Sequence, residues 1–505
     1  MKLAQLLGCL CGAQVTGDSD IEIAGLYYDS RQVRPGGLFF ALRGVNSDGA
    51  QFVPAALRGG AVAVVADRPL AVAGVTVVLV PDARLAMSLM AAAFSGSPTA
   101  AIPLIGITGT NGKTTTSYLV EGILEAAGIP CAVLGTISYR FGETSMEAPN
   151  TTPESVDLQR TLRELVDLGA RGAVMEVSSH SLEQRRADGC LFDVAVFTNL
   201  TRDHLDYHHD MESYFGSKLR LFTDLLAPTE AKPVRRAVVN LDDPHGAAIV
   251  RAAAAFVLSY AVDAPADITV AQVDFSVHGI SCRLNTPRGE LSLTSDLLGR
   301  FNLYNILAAV GAGLALDLPD AAIRQGIEGH RKVPGRVERV ANDKGITVLV
   351  DYAHTSDALE NVLSTITELK SARIVTIFGC GGDRDKGKRP VMGEIAARYS
   401  DLAVLTSDNP RTEDPRAILD DVRAGIAPLA LREYTLEELA QGFQEKGFAV
   451  IESRREAVRA AILAARPGDI VLLAGKGHEN YQIVGSRKLH FDDREEAAAA
   501  LALRG

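Results

Sequence analysis

Short β-branched runs alternate along the chain with stretches in which apolar residues recur every three or four places. Such alternation predicts strands followed by helices, and hence α/β domains with mostly parallel sheets. GAVMEV (172–177), VAVFTNL (194–200), RAVVNL (236–241), TVLVDYA (347–353), RIVTIF (373–378), LAVLTSD (402–408) and DIVLLAG (469–475) read as strands. The most apolar zone, AVAVVADRPLAVAGVTVVLV (61–80), is broken by Asp67, Arg68 and Pro69, which predicts two buried strands and no membrane span. At the start, LLGC precedes Cys9 as in a lipoprotein signal, but the apolar stretch is short and interrupted by Gln5. A first amphipathic helix is expected there instead.

Punctuation divides the chain. SGSPTAAI (95–102) is small and polar, a linker, and PLIGIT after it reads as a strand. Lys113 to Ala127 reads as a helix: Leu119, Ile123 and Ala127 recur beside Val120 and Leu124, and Gly128 supplies the C-cap. A second break falls at KVPGR (332–336). Three domains are expected, 1–100, 101–332 and 333–505, since 505 residues exceed what one core serves. No internal repeat or low-complexity segment interrupts them.

Composition narrows the function. Apolar residues make up 47% and charged residues 22%, as in ordinary soluble globular proteins. A net charge of −11 argues against nucleic acid or an anionic membrane as partner, so cations that meet anionic substrates must cluster locally. The six cysteines (9, 11, 131, 190, 282 and 380) form no C-x-x-C pair, which suits a reducing cytoplasm better than a disulfide framework or a zinc site.

The chemistry starts at GITGTNGKTTTS (106–117), a strand, a glycine-rich turn and a helix in succession. Backbone N–H groups around Gly109 and Gly112 and the helix N-terminus would cradle a phosphate. Lys113 would meet the β/γ-phosphates and the Thr114 hydroxyl would meet Mg²⁺. The usual spacing requires a further glycine where Ile107 stands. T-G-T-N-G-K-T-T resembles the loop of the Mur ligases and folylpolyglutamate synthetases, ATP-dependent amide-forming enzymes that share this spacing.

Other stretches extend the resemblance. MEVSSH (175–180) puts Glu176 at a strand end, and TNLTRDHLDYHHD (198–210) groups His204, His208 and His209 with three aspartates. On pattern alone such histidines are structural or solvated; the resemblance implies that Glu176 and His204 hold a second divalent ion, and leaves His208 and His209 solvated. Lys218 in YFGSKLRLF reads as a surface lysine by composition, and aligns with the lysine these ligases carry as a carbamate. That modification needs a lowered lysine pKa or a metal that traps the product.

FGCGGDRDKGKRP (378–390) imitates a dinucleotide fingerprint but fails it, because the third glycine counted from Gly379 falls at Arg384. It offers Arg384, Lys386, Lys388 and Arg389 to a carboxylate or phosphate instead. SDNPRTEDPR (407–416) and GKGHENYQ (475–482) lie at other strand ends, where open α/β sheets build ligand crevices. Their mixture of cations and anions suits a zwitterionic amino acid. TGTNGKTT, DYAHT, GCGGDRDKGKRP and DNPR together resemble the meso-diaminopimelate-adding branch of the Mur ligase family, and the likeness runs from YDSR (28–31) to FDDREEA (491–497).

The resemblance implies a smaller N-terminal α/β domain for a UDP-sugar, a central P-loop ATPase-type sheet and a C-terminal Rossmann-like domain for the amino acid. It puts ATP on Thr108, Gly109, Thr110, Asn111, Gly112, Lys113, Thr114, Thr115, Asn302, Arg336 and Asp351. It puts the UDP-muramoyl dipeptide on Ser30, Asn150, Thr151, Thr152, Ser178, Gln184 and Arg186, and diaminopimelate on Arg384, Asp408, Asn409, Pro410, Arg411, Gly475 and Glu479. Two Mg²⁺ sites would draw on Thr114, Glu176, His204 and carbamylated Lys218, in a cytoplasmic monomer. Diaminopimelate is lysine with a second carboxylate, which Arg384 and Arg411 can each grip bidentately. The implied reaction phosphorylates the D-glutamyl γ-carboxylate, after which the amine attacks the acyl phosphate. His354 and Glu479 are the candidate bases, and domain closure would bring Arg336 to the loop. The family commonly reads DYAHTPDAL where this chain has DYAHTSDAL, so Ser356 replaces a proline. Competing readings are a lysine-adding Mur ligase, a folylpolyglutamate synthetase and, outside enzymes, a nucleotide-gated switch.

Overall fold

A computed structural model describes residues 1–504 apart from 45–47, 277–278, 330–332 and 370–372. Its centre is an eight-stranded sheet ordered Phe256–Tyr260, Arg236–Asn240, Val194–Phe197, Leu104–Thr108, Gly172–Glu176, Cys131–Leu134, Ser138–Phe141 and Thr144–Glu147. The first six strands run parallel and the last two return antiparallel. Both faces are covered, so the central strands are apolar throughout, and Leu104–Thr108 is buried at every position. One face packs on Lys113–Ala126 and on Arg300–Ala315, the latter apolar nearly all round. The other face packs on residues of Ser155–Asp167 and Met211–Arg220.

Before it stands a five-stranded sheet, ordered Gln14–Thr16, Thr76–Leu79, Ala61–Ala66, Gly37–Phe40 and Gly25–Tyr27, with only Gln14–Thr16 antiparallel. The apolar zone at 61–80 supplies two of its strands, and the opening segment forms a helix at Leu3–Leu7. Among the described residues no helix is long and apolar enough to cross a membrane. The expected linker at 95–102 is instead tucked in, with Pro98 and Thr99 buried in a single helical turn.

Thr269–Ser276, Gly279–Thr286 and Gly289–Ser295 form a separate antiparallel sheet that the strand–helix pattern does not predict. The boundary expected at 332/333 touches residues outside those described. Beyond it a seven-stranded sheet runs Glu338–Val340, Thr347–Asp351, Ile470–Ala474, Ile374–Phe378, Leu402–Leu405, Gly447–Val450 and Arg432–Glu433, antiparallel only at Glu338–Val340. Residues after Leu104–Thr108, Val194–Phe197 and Thr347–Asp351 line one cleft, where the candidate site lies.

Candidate active site

Strand Leu104–Thr108 delivers Gly109–Gly112 directly to the first turn of Lys113–Ala126. Gly109 (φ 149°) and Gly112 (φ 87°) occupy backbone conformations that L side chains rarely adopt. A Cβ at Gly112 would stand 2.3 Å from Asn305 Oδ1. Lys113 Nζ donates to the carbonyls of Gly109 and Thr110, both at 2.9 Å, and Lys218 Nζ donates to the same Gly109 carbonyl at 3.0 Å. Two buried amines thus share one acceptor. Lys218 is only 2% exposed, which corrects its reading as a surface lysine: Met211–Arg220 turns that face inward. Burial first, and neighbouring Lys113 second, hold the Lys218 amine well below the usual lysine range. Burial lowers Lys113 as well, against the opposing pull of Glu176 and Asp203.

Glu176 closes the floor. Its Oε1 accepts from the Thr136 N–H at 3.0 Å and its Oε2 from the Thr136 hydroxyl at 2.9 Å. His204 adopts a left-handed backbone (φ 55°) and its N–H donates to Asp203 Oδ1 at 2.9 Å. Desolvation first, then the neighbouring His180, Lys113 and Lys218, push its imidazole pKa down against the opposing pull of Asp203, although the side chain is 45% exposed. His208, expected to be solvated, is buried beneath the same helix with Nε2 2.9 Å from Ser179 Oγ, whereas His209 is exposed.

The C-terminal domain reaches across. Arg336 Nη2 donates to Thr114 Oγ1 at 3.2 Å, and the Arg336 Nε is buried with no hydrogen-bond partner among the described residues. In this structure Arg336 thus already reaches the loop. Asp351 is buried, accepting from the N–H groups of Val337 and Ala353. His354 Nδ1 lies 2.8 Å from the Tyr352 carbonyl, which can only accept, so Nδ1 carries the proton and Nε2 a free lone pair. Burial, then Lys388, push its pKa down to about 4. Asn111, Gly112, Thr114, Asn305, Arg336 and His354 line the resulting cleft. Asn302 borders the adjoining cavity and supports Asn305, whose Nδ2 donates to Asn302 Oδ1 at 2.9 Å.

A second set lies toward the N-terminal domain. Thr152 Oγ1 donates to the Glu176 carbonyl at 2.8 Å and accepts from the Ser178 N–H at 3.1 Å. Arg186 spans the Thr152 carbonyl and Gln184 Oε1. Thr151 Oγ1 lies 3.2 Å from Thr136 Oγ1 and Asn150 is exposed. Ser30 lies in a turn of the N-terminal domain, two residues after Tyr28, whose hydroxyl donates to Asp157 at 2.5 Å.

The third set joins the loops after three strands of the seven-stranded sheet. Asp408, Asn409 and Pro410 are buried, and Arg411 is held in a left-handed conformation (φ 53°). Its Nη1 donates to the Gly382 carbonyl at 2.7 Å, and its N–H to the Ile483 carbonyl at 3.1 Å. Arg384 and Arg411 flank Gly381, where an added Cβ would lie 3.8 Å and 2.9 Å from them. Glu479 accepts from Asn409 Nδ2 at 3.0 Å, while burial and Asp408 push its carboxyl upward. Gly475 is anchored through its N–H to the Asp351 carbonyl at 3.0 Å. The expected four-cation cluster is not one: Arg389 is 1% exposed and spent on Glu413 and Asp421, and Lys388 donates to the His354 carbonyl. Lys476 was not singled out, yet it is fully buried and 3.1 Å from Asp408.

Residues 107–313 match the Mur ligase middle domain, 335–477 the Mur ligase glutamate ligase domain, and 22–95 the Mur ligase family catalytic domain. A UDP-N-acetylmuramoyl-L-alanyl-D-glutamate–2,6-diaminopimelate ligase from Geobacter metallireducens is 64% identical over 501 residues, covering 99% of this chain and 98% of that one. The chain belongs to the Mur ligase family. A ligase of the same name from Geobacillus thermodenitrificans is 45% identical and matched over 100% of both chains. A solved structure bearing that name superposes with a TM-score of 0.69 at 34% identity, covering 100% of this chain and 99% of its own. Folylpolyglutamate synthase from Mycobacterium tuberculosis shares the Mur ligase fold at a TM-score of 0.61, with 19% identity over 84% of this chain and 95% of its own.

Proposed function

We propose that the chain joins meso-2,6-diaminopimelate to the D-glutamyl γ-carboxylate of UDP-N-acetylmuramoyl-L-alanyl-D-glutamate, consuming ATP, in cytoplasmic peptidoglycan precursor synthesis. The observation that carries this reading is the pairing of a phosphate loop and two buried lysines with an arginine-bearing pocket in the next domain. The N-terminal domain takes the UDP-sugar, the central domain ATP, and the C-terminal domain the amino acid. The enzyme works as a monomer.

The γ-phosphoryl group of ATP passes to a γ-carboxylate oxygen, leaving ADP and an acyl phosphate. Lys113, the loop N–H groups and Arg336 meet the charge that develops. The unpartnered Arg336 Nε suits an incoming phosphate or ribose oxygen. The neutral amine of diaminopimelate then attacks the carbonyl carbon, the C–N bond forms, and phosphate leaves. His354 Nε2 faces the cleft free to take the amine proton, whereas Glu479 is already held by Asn409. Thr152, Ser178, Gln184 and Arg186 hold the dipeptide end.

Thr114 and Glu176 offer the oxygen donors that Mg²⁺ prefers. Among the described residues no group of three His, Cys, Asp or Glu is arranged around a metal. His204 would complete the set for a second ion together with Lys218, whose neutral amine would add to CO₂ with loss of a proton and offer a carbamate oxygen. The bound ions would screen the phosphate charges. In the acceptor pocket Arg384 and Arg411 hold the distal carboxylate, and Glu479 with the Gly475 carbonyl reads the distal ammonium. L-Lysine would leave a guanidinium unpaired, at a cost of roughly 1–3 kcal/mol.

The test is phosphate release with ATP, Mg²⁺ and the UDP-dipeptide, comparing meso-diaminopimelate with L-lysine. Release with diaminopimelate alone is expected. Release with lysine instead would keep the ligase and remove the role given to Arg411.

A further inference from the structure

The reaction above leaves Asp357 without a task, yet its carboxylate sits at the junction of two domains. It opens the helix Ser356–Leu369 of the C-terminal domain, three residues beyond His354. Its Oδ2 accepts from Asn111 Nδ2 at 2.8 Å, from Thr201 Oγ1 at 3.3 Å and, within its own helix, from Asn361 Nδ2 at 3.3 Å. Asn111 is the tip of the phosphate loop. Thr201 lies in the segment that leads to Asp203 and His204. One oxygen of the third domain thus ties together two loops of the second.

The backbone of Asn111 is fixed inside its own domain. Its N–H donates to Asn199 Oδ1 at 2.9 Å, and its carbonyl accepts from Thr198 Oγ1 at 2.7 Å and Asn199 Nδ2 at 3.2 Å. Thr201 is fixed likewise, its N–H donating to Thr110 Oγ1 at 3.0 Å. Between themselves the Asn111 amide and the Thr201 hydroxyl make only a long contact, Nδ2 to Oγ1 at 3.5 Å, so the shorter bond that orients the amide comes from the neighbouring domain. Burial pushes the Asp357 carboxyl upward, and the Thr201 and Asn111 bonds offset this. A carboxylate is tolerated in such a place only where donors converge on it.

We infer that Asp357 is a positioning residue that makes docking of the C-terminal domain a condition of the phosphate loop's working shape. With the domain docked, Asn111 and Thr201 share one acceptor and the loop tip is held. With it displaced, both lose that acceptor, and the 3.5 Å Asn111–Thr201 contact alone is left to orient the two side chains. The inference rests on the ATP-binding reading of the loop, and adds how the position of the acceptor-binding domain is felt there.

The experiment compares Asp357→Ala, Asp357→Asn, Asn111→Ala and the Asp357→Ala/Asn111→Ala double variant in the full chain. A fluorescent ATP analogue gives nucleotide affinity; turnover gives KM for ATP and for diaminopimelate; thermal melting reports folding. Asp357→Ala should weaken ATP binding about 10-fold, the effect of losing one charge-assisted hydrogen bond, with KM for diaminopimelate unchanged. Asp357→Asn keeps an acceptor oxygen and should restore most of the affinity. The double variant should be no worse than the worse single one. Unchanged ATP affinity in Asp357→Ala, additive losses in the double variant, or a lowered melting temperature with no nucleotide effect would each overturn the inference. A chain that shows the coupling in nucleotide affinity but releases no phosphate with diaminopimelate would overturn the proposed reaction and leave the strut standing.

Discussion

Two glycine-rich loops in this molecule follow a parallel strand and lead into a helix, and they use their glycines differently. In the loop at 109–112 the glycines take positive φ, and the helix begins at once with Lys113, so backbone N–H groups and a helix end face the cleft. In the loop at 379–387 Gly379, Gly381 and Gly382 do not take positive φ; the left-handed position there belongs to Asp383 (φ 55°). There the glycines only make room for another loop, whereas Gly109, which also leaves room for Thr198, combines that with its positive φ. A Cβ at Gly379 would stand 2.4 Å from the Thr406 carbonyl, and one at Gly382 1.9 Å from the Pro410 carbonyl. The helix begins only at Lys388, with Arg389 turned inward. On the proposed function one loop is a rim for a ligand; the other is a seat for the 408–411 segment. Similar composition serves both, and the sign of φ together with the start of the helix separates them.

The largest effect that could break this contrast is at the rim. Lys113→Met should lower turnover on the order of 100-fold or more while leaving the melting temperature unchanged or raised, because a desolvated amine is removed. A variant keeping a tenth of wild-type turnover would put both loops on an equal footing. Next come the glycines. Gly382→Ala should raise KM for diaminopimelate about 10- to 100-fold with KM for ATP unchanged, and Gly112→Ala should do the reverse. Identical kinetic patterns for the pair would erase the distinction between rim and seat.

His354 links the loops, since its carbonyl accepts from Lys388 Nζ at 2.8 Å. Its folded pKa of about 4 lies below the ordinary histidine value of about 6.5. The unfolded chain therefore takes up a proton that the folded one refuses, and the stability tied to neutral His354 is full above about pH 6.5 and lost as pH falls toward 4. His354→Gln should flatten this loss by roughly 1–2 kcal/mol, less than full burial would give because part of the ring meets solvent. Denaturant titrations of both proteins at pH 7 and pH 4.5 would show it, and parallel curves would exclude it. The smallest effect is at Ser356, the first helical residue after the Thr355 cap, where the Ala358 N–H donates to Thr355 Oγ1. Proline suits that position, so Ser356→Pro should stabilise the chain by about 0.4–1 kcal/mol, read from the denaturation midpoint.

Much of the frame was legible because buried parallel strands are unmixed apolar runs. VAVFTNL and LAVLTSD overran their strands for a functional reason: the polar tails TNL and TSD leave the sheet to become site loops. The antiparallel sheet beginning at Thr269 was missed because one of its faces is exposed and TVAQVDFS mixes polar with apolar positions. Asn305 hid inside a helix whose neighbours are nearly all apolar. Charge alone could not show that Arg389 turns inward, because its partners Glu413 and Asp421 lie 24 and 32 residues away. The phosphate loop was readable because every residue it needs is adjacent in sequence. The pockets assembled from three strand ends were readable only through resemblance.

Arg336, His354 and Asp357, all from the C-terminal domain, stand at the cleft beside the Gly109–Gly112 loop of the central one. Heredity feels this arrangement. A recombination event near residue 333 would import foreign partners for Thr114 and Asn111 along with a foreign C-terminal domain, so an exchanged domain would have to match both contacts. Single substitutions within 408–411 would leave those contacts to the 109–114 loop untouched.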